Sequence, residues 1–162
     1  MIDVSVIIPC YNSASLVEKR VAEVEAVLGA TRWTWEILLC DDGSADATPE
    51  LCRRLAEAAP ARRFLASAVN RGRGANVSEG IRRSEGRFVG FIAADASTAA
   101  HHIIPLVNAL SAGSEVAEAH RTYKIQLLEF PFIAHRYLAH VCYGALVREV
   151  LGLGGLDSVS GL

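Results

Sequence analysis

Four times between Val4 and Ala94 an apolar run too short to make a buried helix stops at polar residues, and a stretch with helical spacing follows each of the first three. The runs are "VSVIIPC", "EILLC", "RFLASA" and "RFVGFIAA". Between them, Val17, Val21, Val24 and Leu28 recur at helical spacing, as do Leu51 and Leu55, and then Val77 and Ile81. Strands apolar on both sides must be covered on both faces, and a helix returning the chain between them makes neighbours parallel. The order therefore predicts an α/β fold, a mostly parallel central sheet with helices on both faces.

Local signals refine this. Ser15 and Glu18 have the spacing of a capping box for the first helix, and Thr48 before Pro49 reads as the cap of the second. Beyond Asp95, "IIPLVNAL" reads as a helix with Pro105 in its first turn, "SEVAEAH" as a strand, and the stretch after Pro131 as a long amphipathic helix. A chain of 162 residues, 51% hydrophobic and 21% charged, is expected to form one domain over 1–162. It closes on "GLDSVSGL" without an obvious last element, so the domain is expected to be incomplete at its C-terminus.

A formal net charge of -2 offers no basic surface of the kind nucleic acid requires, so nucleic acid is not an expected partner. Cys10, Cys40, Cys52 and Cys142 form no CxxC pair, and the first two sit in apolar runs, which fits a cytoplasmic, reducing compartment. No apolar run reaches membrane-spanning length, although the apolar face after Pro131 is compatible with peripheral contact at a membrane. His101 and His102 are adjacent, and His135 and His140 are five apart, so neither pair has metal-ligand spacing on a helix. Neither a GxSxG elbow nor a P-loop occurs.

In open α/β sheets ligands bind beyond the carboxyl ends of the strands. The four runs end at Tyr11 and Asn12, at Asp41 and Asp42, at Asn70 and Arg71, and at Asp95. Together these offer acceptors for a base and ribose, cations for phosphates and a carboxylate for a metal. Each also has a plainer reading. Asp42, Asp46 and Thr48 suit turns and caps, Asp41 must be exposed or paired if it binds nothing, and Gly72 and Gly74 can serve a tight turn alone. Arg71 and Arg73, interleaved with those glycines, suit a diphosphate. Asp95 reads either as a helix cap or as the carboxylate of a Mg²⁺ or Mn²⁺ that completes its octahedron with phosphate oxygens and water.

In sequence order, "VSVIIPCYN", "EILLCDDGSADAT", "NRGRGANVSEGIRRSEGRFVGFIAAD" and "DSVSGL" resemble the family 2 glycosyltransferases of the GT-A fold, notably the polyprenyl-phosphate sugar synthases such as dolichyl-phosphate mannose synthase. The resemblance implies a UDP- or GDP-linked sugar donor over the sheet, with Pro9, Tyr11 and Asn12 near the base and Asp41 accepting a hydrogen bond from it. Asp42, Gly43 and Ser44 would complete that wall, and Arg71 and Arg73 would lie near the nucleotide. Ala94 and Asp95 match the last two places of the family's DxD motif, whose final acid contacts the metal, while Ala93 stands where the first acid is usual. Arg121 in "EAHR" resembles an arginine placed near phosphate.

The implied reaction moves the sugar, with inversion, to a lipid phosphate or saccharide acceptor, with Mg²⁺ or Mn²⁺ as cofactor and Asp95 and Arg121 in the catalytic roles. The cytoplasmic face of a membrane is the implied setting when the acceptor is a polyprenyl phosphate. A non-catalytic nucleotide-binding or scaffolding relative is the alternative that Ala93 raises. A nucleotidyltransferase would show a glycine-rich, lysine-containing motif near the first strand, and "IIPCYNSAS" has none.

Overall fold

The computed structural model describes residues 1–95 and 97–119. The chain divides into two compact units, Met1–Ser114 and Glu115–Leu162. In the first, four strands form one sheet: β1 (Ile2–Cys10), β2 (Trp35–Asp41), β3 (Arg62–Ala66) and β4 (Gly86–Phe91). Helices α1 (Val17–Gly29), α2 (Thr48–Glu57) and α3 (Arg73–Arg83) connect them, and a short 3₁₀ turn at Ala100–His102 leads into α4 (Ile103–Ser111).

Every strand pair is parallel and the order is β3-β2-β1-β4. The chain thus builds outward from β1 to β3, then returns across the sheet to lay β4 on the other side of β1. That reversal leaves a crevice beyond the carboxyl end of β1.

Strand alternation divides the core in two. Val4, Val6, Ile8 and Cys10 of β1 join Ile37 and Leu39 of β2 in a large cluster with Val17, Val21, Val24 and Leu28 of α1 and Ile103 and Val107 of α4. Ile7, Leu38 and Cys40 face the other way. On that side α3 packs close through Gly80, where a Cβ would come within 2.8 Å of the Ile7 side chain and 3.1 Å of the Cys40 sulfur. All three described cysteines are buried. Burial pushes the Cys40 thiol up to about 12, and contact with the Cys52 thiol together with burial raises Cys10 far beyond the usual range. The Cys10 and Cys40 thiols are packing residues, not nucleophiles.

The opposite, amino end of the sheet is closed by polar contacts spanning all four strands. Glu36 is 2% exposed. It accepts hydrogen bonds from the Ser5 hydroxyl at 2.6 Å, the Glu85 N–H at 2.7 Å and the Arg63 guanidinium at 2.8 Å. Ser5 in turn accepts the Gly86 N–H at 2.8 Å, and Arg63 also meets Glu85 at 3.0 Å.

Several local expectations give way to tertiary contacts. Ser15 does not cap α1, which begins at Val17 without a side-chain cap; the Ser13 carbonyl accepts the Leu16 and Val17 N–H groups instead. Thr48 does not cap α2 either. Its hydroxyl accepts the Ser13 N–H at 2.7 Å, and the Asp46 carboxylate takes the Thr48 N–H at 2.9 Å. Hydrogen bonding from the Thr48 hydroxyl and N–H holds the Asp46 carboxyl below its ordinary range. Ile81, placed by its spacing on the inner face of α3, is exposed, because Val77 and Gly80 make the contact with the sheet. The strand expected at "SEVAEAH" is not formed over Ser114–Ala119, where alternating acidic and small residues offer little apolar surface to a neighbouring strand. Arg121, Cys142, the helix expected after Pro131 and "DSVSGL" lie outside the described residues. Among the described residues no helix is long and apolar enough to cross a membrane.

Burial opposes ionisation of Glu36, but the Ser5, Glu85 and Arg63 donors outweigh it and hold the carboxyl below its ordinary value of 4.5. A carboxyl depressed by folding stabilises fully above its unfolded value, and the contribution disappears as pH falls through the lower folded value. Glu36→Ala, which strands three donors, is expected to cost about 2–4 kcal/mol at neutral pH. Denaturant titrations across the acid range should show the gap between variant and wild type closing as the pH drops below the ordinary carboxyl range.

Candidate functional site

Beyond the carboxyl end of β1 lies a cleft of about 280 Å³, to which all four strand-end loops contribute. From β1 come Pro9 and Cys10, and from the turn into α1 come Tyr11, Ser13 and Leu16. Asp42 follows β2; Asn70, Gly72 and Arg73 follow β3, with Asn76 on the first turn of α3; Ala93, Ala94 and Asp95 follow β4. The Tyr11 ring is half exposed, the Ala94 methyl is buried, and Asp95 faces solvent.

The loop after β2 is built around two buried acids. Asp41 is 2% exposed, and one of its carboxylate oxygens accepts the Gly43 N–H at 3.2 Å and the Ser44 N–H at 3.1 Å. The other accepts the Ser44 hydroxyl. Asp42 is equally buried; its N–H reaches the Cys10 carbonyl at 2.9 Å and its carboxylate accepts the Arg71 N–H at 3.0 Å. Asp42 therefore connects the ends of β1, β2 and β3.

Gly43 makes this closure possible. Its φ is +71°, and a Cβ would sit 2.7 Å from the Val69 carbonyl carbon and 2.8 Å from the Asn70 nitrogen. Both constraints exclude a side chain. Asn12 clasps the loop from the other side: it adopts a φ of 47°, donates its N–H to the Ser44 hydroxyl at 2.9 Å and accepts the Ala45 N–H on Oδ1 at 2.9 Å.

The sequence-predicted residues thus fall into two groups. Pro9, Tyr11, Asp42, Arg73, Ala94 and Asp95 line the cleft. Asn12, Asp41, Gly43 and Ser44 hold one another in the loop behind it, and Arg71 is tied there by its backbone. An Asp41 contact with a base would use only the acceptor capacity that three donors leave over. Ser13, Leu16 and Asn76 line the cleft although sequence pattern did not single them out. Asn76 is buried and donates from Nδ2 to the Cys40 carbonyl at 2.7 Å, fixing the start of α3 to the end of β2. Its signal was an amide on the inner turn of a helix that opens at a strand end.

Among the described residues, no three His, Cys, Asp or Glu side chains gather to hold a metal ion on their own. The cleft does carry two carboxylates: Asp42, buried and already accepting the Arg71 N–H, and the exposed Asp95, whose Oδ1 accepts the Ser97 N–H at 3.1 Å. Such a donor set fits a hard cation that takes most of its ligands from substrate phosphates, and not a protein-only cage.

The sequence profile described as glycosyl transferase family 2 matches residues 5–148. The chain belongs to this family. It is 32% identical over 97 residues to a dolichyl-phosphate beta-glucosyltransferase of Trichomonas vaginalis, covering 57% of this chain and 29% of the relative. It is 28% identical over 156 residues to an undecaprenyl-phosphate 4-deoxy-4-formamido-L-arabinose transferase of Pseudomonas fluorescens, covering 90% of this chain and 46% of that one. The chain thus spans less than half the length of either.

Among solved structures, a mannosyltransferase of Pyrobaculum calidifontis in complex with GDP-Man and Mn²⁺ superposes with a TM-score of 0.53 at 27% identity, over 68% of this chain and 33% of that one. The glucosyl-3-phosphoglycerate synthase of Mycobacterium tuberculosis superposes with a TM-score of 0.56 at 21% identity, over 87% of this chain and 52% of its own, which speaks to the fold. This family 2 member has the GT-A fold. The names of the Trichomonas vaginalis and Pseudomonas fluorescens relatives carry dolichyl phosphate and undecaprenyl phosphate.

Gly43→Ala should strain the left-handed backbone and drive a methyl into Val69 and Asn70, costing about 2–4 kcal/mol. Chemical denaturation would register that loss. Chemical-shift changes in the spectrum should spread from the 41–44 loop to Asn70 and Arg71.

Proposed function

We propose that the protein binds a nucleotide-diphosphate sugar, UDP- or GDP-linked, in the cleft and transfers the sugar with inversion to an acceptor, a polyprenyl phosphate being the class favoured. The observation that carries this reading is the convergence of all four strand-end loops on one cleft with Arg73 and Asp95 both in its lining. The relatives' names support the acceptor class.

In this reading Pro9 and the half-exposed Tyr11 ring receive the base, while Asp42, Asn70 and Asn76 offer polar partners to base and ribose. The diphosphate lies toward Arg73 and the amino end of α3, where the aligned peptide dipoles favour an anion. Arg71 stands beside it on the same loop. A divalent cation, when bound through Asp95, would supply charge neutralisation to the diphosphate.

The acceptor oxygen attacks the anomeric carbon from the face opposite the leaving group. A new C–O bond forms as the bond to the diphosphate breaks, and the departing nucleoside diphosphate carries away the electron pair. Arg71 and Arg73 stabilise the charge that develops there. An ionised lipid phosphate is already a nucleophile and needs no general base, whereas a saccharide hydroxyl would. Arg121, outside the described residues, is proposed to meet the acceptor phosphate, and the reaction is proposed to run at the cytoplasmic face of a membrane.

Calorimetry with UDP and GDP, with and without Mn²⁺, provides the test. Mn²⁺ is expected to tighten nucleotide binding to the wild type, and Asp95→Ala is expected to remove about tenfold or more of that gain while leaving metal-free binding nearly intact. Binding identical across all four conditions and both proteins would sink the metal role.

A second reading, a nucleotide-binding relative without turnover, is favoured by Ala93, which lines the cleft beside Ala94 where a further carboxylate would add a ligand. Transfer of radiolabelled sugar to a lipid extract separates the two. No transfer by the wild type, with transfer gained in Ala93→Asp, would favour the second reading and identify the missing acid as its cause.

A further inference from the structure

Arg20 lies on the apolar stripe of α1 and is only 2% exposed. A guanidinium stays charged in the interior, so its burial is costly unless its donors are met. One terminal nitrogen donates to the backbone carbonyl of Asp95. The other donates to the backbone carbonyl of Thr98 at 3.0 Å and to the Glu23 carboxylate at 3.2 Å. Glu23 is itself partly exposed, so two main-chain carbonyls of the segment after β4 take much of the burden.

Asp95 is the residue whose side chain reaches the cleft, and its carboxylate also accepts the Ser97 N–H. On either side of this segment, Ala94 and Ala100 are buried in the main core. Two anchored ends and a planar fork between them set the backbone from which the Asp95 side chain departs. Lysine could satisfy one carbonyl but cannot bridge two with fixed geometry.

We propose that Arg20 is a positioning residue: it holds the main chain of Asp95 and Thr98 from beneath, and so governs the cation-assisted part of nucleotide binding without touching nucleotide or cation. The proposal rests on the donor-binding reading above. It also explains how a site with alanine at position 93 aims Asp95, since the direction of that side chain is set from α1.

The test uses Arg20→Met and Arg20→Lys in the full chain, with two readouts. Hydrogen exchange on the free protein should show amides 97–100 exchanging about tenfold faster or more in Arg20→Met, with the strand amides of β1 and β2 unchanged. Calorimetry with UDP and GDP should show that Arg20→Met loses most of the Mn²⁺-dependent gain while metal-free affinity stays within about twofold, with Arg20→Lys intermediate in both readouts.

Unchanged exchange at 97–100, or equal loss of affinity with and without Mn²⁺, would overturn the proposal. If Arg20→Met does not fold, Arg20→Lys carries the same comparison with smaller shifts in the same direction. Failure of the wild type to bind either nucleotide would count against the donor reading, and exchange at 97–100 would then decide by itself whether Arg20 holds the segment.

Discussion

Burial of β1 between β2 and β4 is the constraint from which the remainder of the structure follows. Ile7 and Ile8 are fully buried on opposite faces of the strand, so both faces must be covered, by α1 and α4 on one side and α3 on the other. Both edges are taken by parallel partners, β2 in one direction and β4 in the other. A strand with parallel neighbours on both sides, reached by crossovers that leave in opposite directions, opens a crevice at its carboxyl end. The site is therefore a by-product of chain path before it is a matter of particular side chains.

The two ends of the sheet are treated differently. At the amino end, Ser5, Glu36, Arg63 and Glu85 close on one another and leave a carboxylate buried but fully engaged. At the carboxyl end the acids are also buried, yet Asp41 and Asp42 draw their donors from loops and not from opposing strands. Pairing across strands at one end stiffens the sheet, while backbone-to-side-chain closure at the other organises loops and leaves a concave wall. Stability and binding are thereby separated along the strand direction.

Within the carboxyl-end loops, small residues decide what can approach. Gly43 lets the β2 loop contact the β3 loop, and Ala93 and Ala94 keep the cleft wall thin beside Asp95. The price of those alanines is a sparse donor set for a cation, which makes the direction of Asp95, the exposed carboxylate of the lining, more important. Arg20 and Asn76 fix the strand-end segments from opposite faces of the sheet, Arg20 through the Asp95 carbonyl and Asn76 through the Cys40 carbonyl.

The alternation of apolar runs and helical stripes was enough to establish an α/β sheet and to put Tyr11, Asp42, Arg73 and Asp95 near strand ends, because periodicity and chain order are local properties. The helix stripe of Val17, Val21, Val24 and Leu28 was legible for the same reason, and Arg20, three residues after Val17, already stood in it as the one charged member. Its partners were not legible, since the carbonyls of Asp95 and Thr98 lie more than seventy residues away in sequence. Ser15 and Thr48 had the local form of caps, but the Ser13 N–H competes for the Thr48 hydroxyl across thirty-five residues and wins. Which acid organises a loop and which faces the cleft, and how an interior cation is satisfied, depend on groups brought together only when the sheet closes. Spacing along a chain carries no record of those distances.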